Sequence, residues 1–149
     1  MRGGGLLVYV KEDIPSKQLK SFKFEDDIEC IGFEINLRKK KWAFFSIYRP
    51  PTQSQPYFFG QLGTAIDHYS DKYENFIVVG DFNAMEMEQE IGDFMDLFAF
   101  KNLVKEPTCF KSGNPRCIDL ILTNRGRNFQ QTTAIEIGLS DFHQMVVTV

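Results

Sequence analysis

Residues 76–85 read FIVVGDFNAM: four apolar residues run into a glycine, and an aspartate and an asparagine follow two apart. A short run that is apolar at every position reads as a strand buried on both faces rather than one alternating between core and solvent. Such a strand needs cover on each side, and its polar residues come only at its end. This chain must therefore build a layered core and place Asp81 and Asn83 at its rim.

The flanking segments supply the layers. In residues 28–37, Ile31, Phe33, Ile35 and Leu37 alternate with Gly32, Glu34 and Asn36, a period of two that marks a half-buried strand. The charged stretch RKKK, 38–41, makes a turn, and WAFFSIY, 42–48, returns as a second strand to give a hairpin. RPP, 49–51, ends that strand, because proline donates no ladder hydrogen bond. Phe59, Leu62, Ile66, Tyr69 and Tyr73 recur at helical spacing and predict an amphipathic helix over 56–73. A second helix is expected over 88–102, with Ile91, Phe94, Met95 and Phe98 inward. Further strands are expected at 5–10, 75–80, 117–123, 133–138 and 143–149, and residues 11–27 read as a loop or edge segment. Hairpins interleaved with crossover helices imply an α/β layered fold with a mixed sheet, in which sites form just past strand ends.

Charge and cysteine content narrow the class. A net charge of −3 argues against a protein that coats nucleic acid through bulk positive charge, though not against a local basic groove. Cys30, Cys109 and Cys117 are odd in number and form no C-x-x-C pair, so reduced thiols in an intracellular compartment are expected. No apolar run reaches 18 residues, and MRGGGLLVYV lacks an apolar segment long enough for a targeting signal.

Three strand ends carry groups that can do chemistry. Asp81 and Asn83 follow FIVVG, Asp119 sits among apolar neighbours in CIDLIL, and Asp141 and His143 lie in LSDFHQM. An aspartate after a strand, such as Asp81, has a plain reading as a turn or capping residue, and a lone histidine in a strand as a satisfied core or surface residue. Asp119 carries most weight alone, since a buried carboxylate is costly without a partner, and His143 is the natural one. Asp141 and His143, two apart, face the same way on an extended backbone.

In order along the chain, RGGGLLVYV, FSIYRPP, VVGDFNA, IDLILTN and LSDFHQM resemble the endonuclease/exonuclease/phosphatase superfamily, and most closely the endonuclease domain of non-LTR (LINE-type) retrotransposons. The resemblance implies a DNase I-like four-layered α/β sandwich over 1–149, here the C-terminal two-thirds of the domain and incomplete at the N-terminus. It implies metal-dependent phosphodiester hydrolysis, with DNA as substrate. Asp81 would orient or deprotonate the attacking water, and Asn83 would support the phosphate and help place that water. Tyr48 would contact the scissile phosphate, Asp119 would hold His143, and His143 would stabilise developing charge. Asp141 would help hold Mg²⁺, or Mn²⁺. The principal glutamate ligand is expected upstream of the GGG signpost and so is absent here, Glu12 and Glu29 reading as surface charges. Phe142 separates Asp141 from His143, where the family has the pair adjacent. The isolated chain is accordingly expected to be weakly active or inactive.

Arg49, Lys111, Arg116, Arg125 and Arg127 lie near motif ends and are the candidates for phosphate contacts, and the loop KSGNPR, with Asn114, is the better placed for probing a groove. The plainer reading of each cation is an ordinary surface charge. The implied partners are DNA and, in a full-length parent, a reverse transcriptase domain. The chain is expected to be a monomer with no membrane segment, nuclear if functional. Two other readings stand beside this one: a lipid or inositol phosphoesterase of the same fold, and a non-catalytic remnant. A dinuclear metallophosphatase needs several histidines where only His68 and His143 exist, and no G-x-G-x-x-G supports a dinucleotide fold.

Overall fold

The computed structural model describes residues 5–25, 28–85, 88–138, 140 and 145–149. Its centre is a six-stranded mixed sheet built from β1 (Ser16–Gln18), β2 (Glu29–Leu37), β3 (Lys40–Tyr48), β4 (Asn75–Asp81), β6 (Asp119–Thr123) and β5 (Lys101–Asn102), in the order β1-β2-β3-β4-β6-β5. β3 and β4 run parallel, and the other neighbours are antiparallel. Between β3 and β4 the chain crosses through α1 (Gln55–Ser70), and α2 (Gln89–Leu97) follows β4. A separate pair, β7 (Thr132–Ile135) and β8 (Met145–Thr148), is antiparallel.

Sequence periodicity decides which face each strand shows to which layer. Phe45 and Ile47 of β3, Phe76 and Val78 of β4, and Leu120 and Leu122 of β6 point to one face. There they meet Phe58, Phe59, Leu62, Ile66 and Tyr69, which recur along the inner stripe of α1, together with Ile91 and Phe94 of α2. The opposite face carries Phe33, Ile35 and Trp42, and further along Ile77 and Ile121. Phe129 and Val146, beside and within the β7–β8 pair, pack onto it. Helices, large sheet and small sheet thus stack in layers, the α/β layering expected from the sequence. Among the described residues no helix is long and apolar enough to cross a membrane.

Several boundaries differ from expectation. Residues 5–10 join no ladder among the described residues, yet their burial alternates as a strand's would: Val8 and Val10 pack on the sheet, whereas Leu7 and Tyr9 are 72% and 86% exposed. The apolar period records burial of alternate side chains, without pairing among the described residues. The helix expected to reach 102 ends at Leu97, because Ala99 turns left-handed (φ 53°). The amide of Ala99 then bonds Asp96 O at 3.3 Å and that of Phe100 bonds Met95 O at 2.8 Å. This is the Schellman arrangement, which ordinarily takes glycine, so alanine concealed it. Lys101 and Asn102 then pair with Thr123 and Leu122 as β5. Only Arg38 and Lys39 make the hairpin turn, with Lys40 and Lys41 inside β3. Within the segment read as loop or edge, Ser16–Gln18 is an edge strand. β6 starts at Asp119, β7 stops at Ile135 and β8 starts at Met145.

Gly80 shows how tightly β3 and β4 meet. Its φ is 146°, and a Cβ there would lie 1.9 Å from the carbonyl oxygen of Ile47, so no other residue fits without moving the backbone. Among the described residues no disulfide joins Cys30, Cys109 or Cys117, and burial pushes the Cys30 thiol up to about 12, which makes it an unreactive packing residue.

On the helix side, Glu34 is only 6% exposed and accepts a hydrogen bond from the Tyr73 hydroxyl at 2.5 Å, with Lys41 Nζ 3.9 Å away. The Tyr73 bond holds the carboxyl below its usual range against the opposing effect of burial, with Lys41, Lys17 and Lys72 assisting. A depressed carboxylate contributes stability above its unfolded value near pH 4.3, and that contribution disappears as pH falls through the folded value. Tyr73→Phe should therefore cost about 1–3 kcal/mol in urea unfolding at pH 7, with the gap from wild type narrowing by pH 3.

Candidate active site

The ladders align three of the candidate residues. Tyr48 of β3 is the register partner of Asp81 of β4, and Asp81 is the register partner of Asp119 of β6. Register partners share a face, so the three side chains form one row across the end of the sheet. Neighbouring strands lie about 4.8 Å apart, which puts Asp81 within one strand spacing of each of the others. The row projects from the face that carries Ile77, Ile121 and Trp42, toward the small sheet, away from the helices. All three residues are half-buried. Glu29, exposed, stands next to Tyr48 in the same row.

The sequence GDFN alternates for a reason that the fold makes visible. Phe82 turns to the opposite face and is fully buried, its ring 6.2 Å from that of Phe59 and 6.3 Å from that of Phe58. Asn83 adopts φ 44°, a left-handed conformation asparagine tolerates better than most residues. Its amide N–H bonds the Asp81 carboxylate at 2.9 Å, a local turn that orients the carboxylate. The Asn83 side chain donates to Arg49 O at 2.8 Å, so in this conformation it ties the two strand ends together.

Arg49 is not the surface cation expected of a phosphate contact. It is 2% exposed, and its guanidinium is spread over backbone carbonyls. Nε donates to Phe82 O at 2.6 Å, one terminal nitrogen donates to Gln53 O and the other to Asn83 O at 2.6 Å. Its own N–H bonds Asp81 O at 2.9 Å. Burial pulls the guanidinium below its ordinary value, opposed by the carboxylates of Glu88 and Asp81, and arginine's high intrinsic value keeps it charged. A planar fork with several donors can hold three carbonyls at once; the prolines after it remove the competing amide donors. Arg49 therefore positions the Asp81–Asn83 loop.

Two further supports carried no sequence signal. Thr108, fully buried, accepts hydrogen bonds at Oγ1 from the amides of Ile118 and Asp119, at 3.2 and 3.1 Å, and so fixes the start of β6. Glu88 takes hydrogen bonds from Gln55 Nε2 and the Met85 amide. Burial raises its carboxyl, but those bonds together with Arg49 and Arg116 bring it below the usual range.

Lys111, Asn114 and Arg116 are exposed on the loop closed by the Cys109–Arg116 bridge, immediately before β6, and so stand at the Asp119 end. Arg125 and Arg127 follow β6 and lie at the opposite end of the sheet, which removes them from this site. Asp141 and His143 lie outside the described residues. Among the described residues no group of three or more His, Cys, Asp or Glu side chains could hold a metal ion. Mg²⁺ wants a near-octahedral set of oxygens, and the described donors do not fit such a cage.

Comparison with known proteins follows the geometry. The model of the Endonuclease/Exonuclease/phosphatase family matches residues 1–141. A search of curated proteins found no match. Among solved structures, the endonuclease domain of TRAS1, a telomere-specific non-LTR retrotransposon, superposes with a TM-score of 0.74 at 15% identity, covering 92% of this chain and 67% of that one. A mannosyl-6-phosphatase from Bacteroides thetaiotaomicron VPI-5482 gives 0.60 at 13% identity, covering 93% and 66%. The human Nocturnin catalytic domain with bound sulfate gives 0.57 at 13%, covering 91% and 57%. This chain thus spans roughly three fifths to two thirds of the length of those structures. At such identities the likeness is one of fold.

Replacing Arg49 by Lys keeps the charge and loses the fork. Arg49→Lys should lower unfolding stability by about 2–4 kcal/mol, because buried carbonyls lose their donors. It should also speed hydrogen exchange at the Asn83 amide while leaving the core amides of α1 in their wild-type order of protection.

Proposed function

Since the chain belongs to the endonuclease/exonuclease/phosphatase family, we propose that it hydrolyses phosphodiesters and that its substrate is DNA, as in the nicking domain of a retrotransposon-type protein. The observation that carries this reading is the Tyr48–Asp81–Asp119 row, with its central carboxylate oriented by the Asn83 amide.

A phosphodiester is anionic and repels nucleophiles, so hydrolysis needs a water held in line and donors where charge develops. In this reading Asp81 accepts a hydrogen bond from the attacking water and takes its proton. The Tyr48 hydroxyl donates to a non-bridging phosphate oxygen. Asn83 keeps one amide hydrogen beyond the bond to Arg49 and can turn it to the phosphate. Asp119, anchored through Thr108, orients His143, and Asp141 with His143 completes the set by family resemblance. Lys111, Asn114 and Arg116, on the loop beside Asp119, would grip flanking phosphates of the DNA. A divalent cation, Mg²⁺ or Mn²⁺, and a reverse transcriptase domain elsewhere in a longer parent belong to the same reading. The structural likeness to the TRAS1 endonuclease domain favours DNA over lipid or sugar phosphates.

Relaxation of supercoiled plasmid, with Mg²⁺, Mn²⁺ or chelator, tests the proposal on this chain and on an N-terminally extended one. Asp81→Ala and Asp119→Ala should each lower the nicking rate by about 10²–10⁴. Nicking that survives Asp81→Ala, or that neither chain performs, overturns the reading. Faster turnover of an inositol or sugar phosphate than of plasmid transfers the chemistry to another phosphoester.

A further inference from the structure

The end of the sheet remote from Asp81 has its own chemistry. Register partners Leu37 with Lys40, Trp42 with Asn75, and Lys101 with Thr123 define that end. It lies the length of β4 from Asp81, about 20 Å. Arg38, Lys39, Lys40, Lys41, Lys72, Lys101, Arg125 and Arg127 are all exposed there. They are eight of the 17 lysines and arginines in a chain whose net charge is −3. Exposed acids share this end, Glu12 and Asp13 on the turn before β1 and Asp67, Asp71 and Asp96 in or just past the last turns of α1 and α2, but they lie outside the furrows lined by these cations, whose one acidic side chain is Glu74, 3.9 Å from Arg125. Glu34 is held by Tyr73 and Lys41. Among the described residues Arg38, Lys39, Lys40 and Arg127 have no carboxylate partner.

These cations line concave ground. Three furrows of about 390, 590 and 340 Å³ all include Asn128. The first and third share Arg125, the second and third share Arg127, and the first and second share Lys40. Exposed Asn128 sets an amide among the charges, whereas the side chains of Asn75 and Asn124 serve the backbone and Arg125.

The hairpin tip adds a second, backbone observation. Its two-residue turn needs positive φ at both positions, a demand that Asn-Gly meets best. Here Arg38 and Lys39 adopt φ 49° and 64°. Each pays about 1–2 kcal/mol for a left-handed conformation. A turn that accepts such strain to carry two adjacent cations points to what those cations hold.

We propose that this end is a second nucleic-acid-binding surface, which grips the phosphate backbone through Arg38, Lys39, Lys40, Lys72, Arg125 and Arg127, separately from the Asp81 end. Cations along joined furrows match a chain of evenly spaced phosphates, and the Asn128 amide where the furrows meet suits a phosphate or sugar oxygen. A flat anionic bilayer would meet only the rim. The surface does not depend on hydrolysis at Asp81.

The test is binding of a fluorescent 20-nucleotide strand, as DNA and as RNA, in chelator over a salt series. Arg38→Asn combined with Lys39→Gly relaxes the turn, so it should hold or raise Tm while weakening binding about tenfold and flattening the salt slope by about 1.4, the share of two phosphate contacts to a single strand. Arg127→Gln, which spares the hairpin, should reduce the slope by about half as much. Lys111→Gln with Arg116→Gln, at the Asp81 end, should leave the shifts produced by the two basic-end variants unchanged. Unchanged affinity and slope in both basic-end variants overturns the inference, as does equal loss of binding to phosphatidylserine vesicles that bind more tightly than the strand. If plasmid nicking fails but these shifts appear, only the catalytic reading falls. Nicking with no shift sinks only this one.

Discussion

The arrangement at the strand ends rests on one buried guanidinium. Where β3 and β4 finish side by side, the chain must leave the ladder, and carbonyls that leave a ladder need donors. Arg49 supplies them for Phe82, Asn83 and Gln53 from a single planar group, and Asn83 returns a bond to its carbonyl. An apolar residue at 49 would leave those oxygens buried and unpaired, each at a cost of about 1–3 kcal/mol. The charge itself is offset by Glu88 and Asp81 nearby. The same contact that satisfies the backbone therefore fixes the loop that carries Asp81 and Asn83.

From that lock the rest of the site follows by register. Gly80 lets β4 approach the Ile47 carbonyl, so Asp81 arrives level with Tyr48. Thr108 sets the entry of β6, so Asp119 arrives level with Asp81. Phe82 plugs into the aromatic core under the helices and prevents the loop from rotating. Carboxylates on adjacent strands repel one another and would favour separation; packing that is rigid on the helix side holds them in place. The opposite pole answers to other pressures, with strain kept in a basic turn and cations spread around shared furrows.

The differences from expectation have particular causes. The apolar period of 88–102 continues through Phe98 and Phe100, but Ala99 reverses the backbone, and both rings still reach the helical core. Periodicity records which side chains are buried, not how the backbone carries them. Residues 5–10 make the same point from the other side, since their alternation is present without a partner strand among the described residues. Arg49 read as an ordinary cation because nothing local distinguishes an exposed arginine from one folded under its own chain. Arg125 and Arg127 were grouped with the other motif-end cations because nearness in sequence to Asp119 says nothing of which end of a five-residue strand they leave.

Local patterning alone determined the strands at 28–48 and 75–80, the first helix, the layered α/β class and the aspartates at strand ends, because burial imposes its period on composition wherever a chain is amphipathic. Membership of the family was likewise legible in five ordered motifs. Only tertiary structure decided that Tyr48, Asp81 and Asp119 share one row, that Arg49 serves the backbone rather than a ligand, and that half the chain's cations gather at the far pole. Those outcomes depend on register and strand direction, which are set by contacts between residues 33 to 46 apart and leave no trace in any one segment.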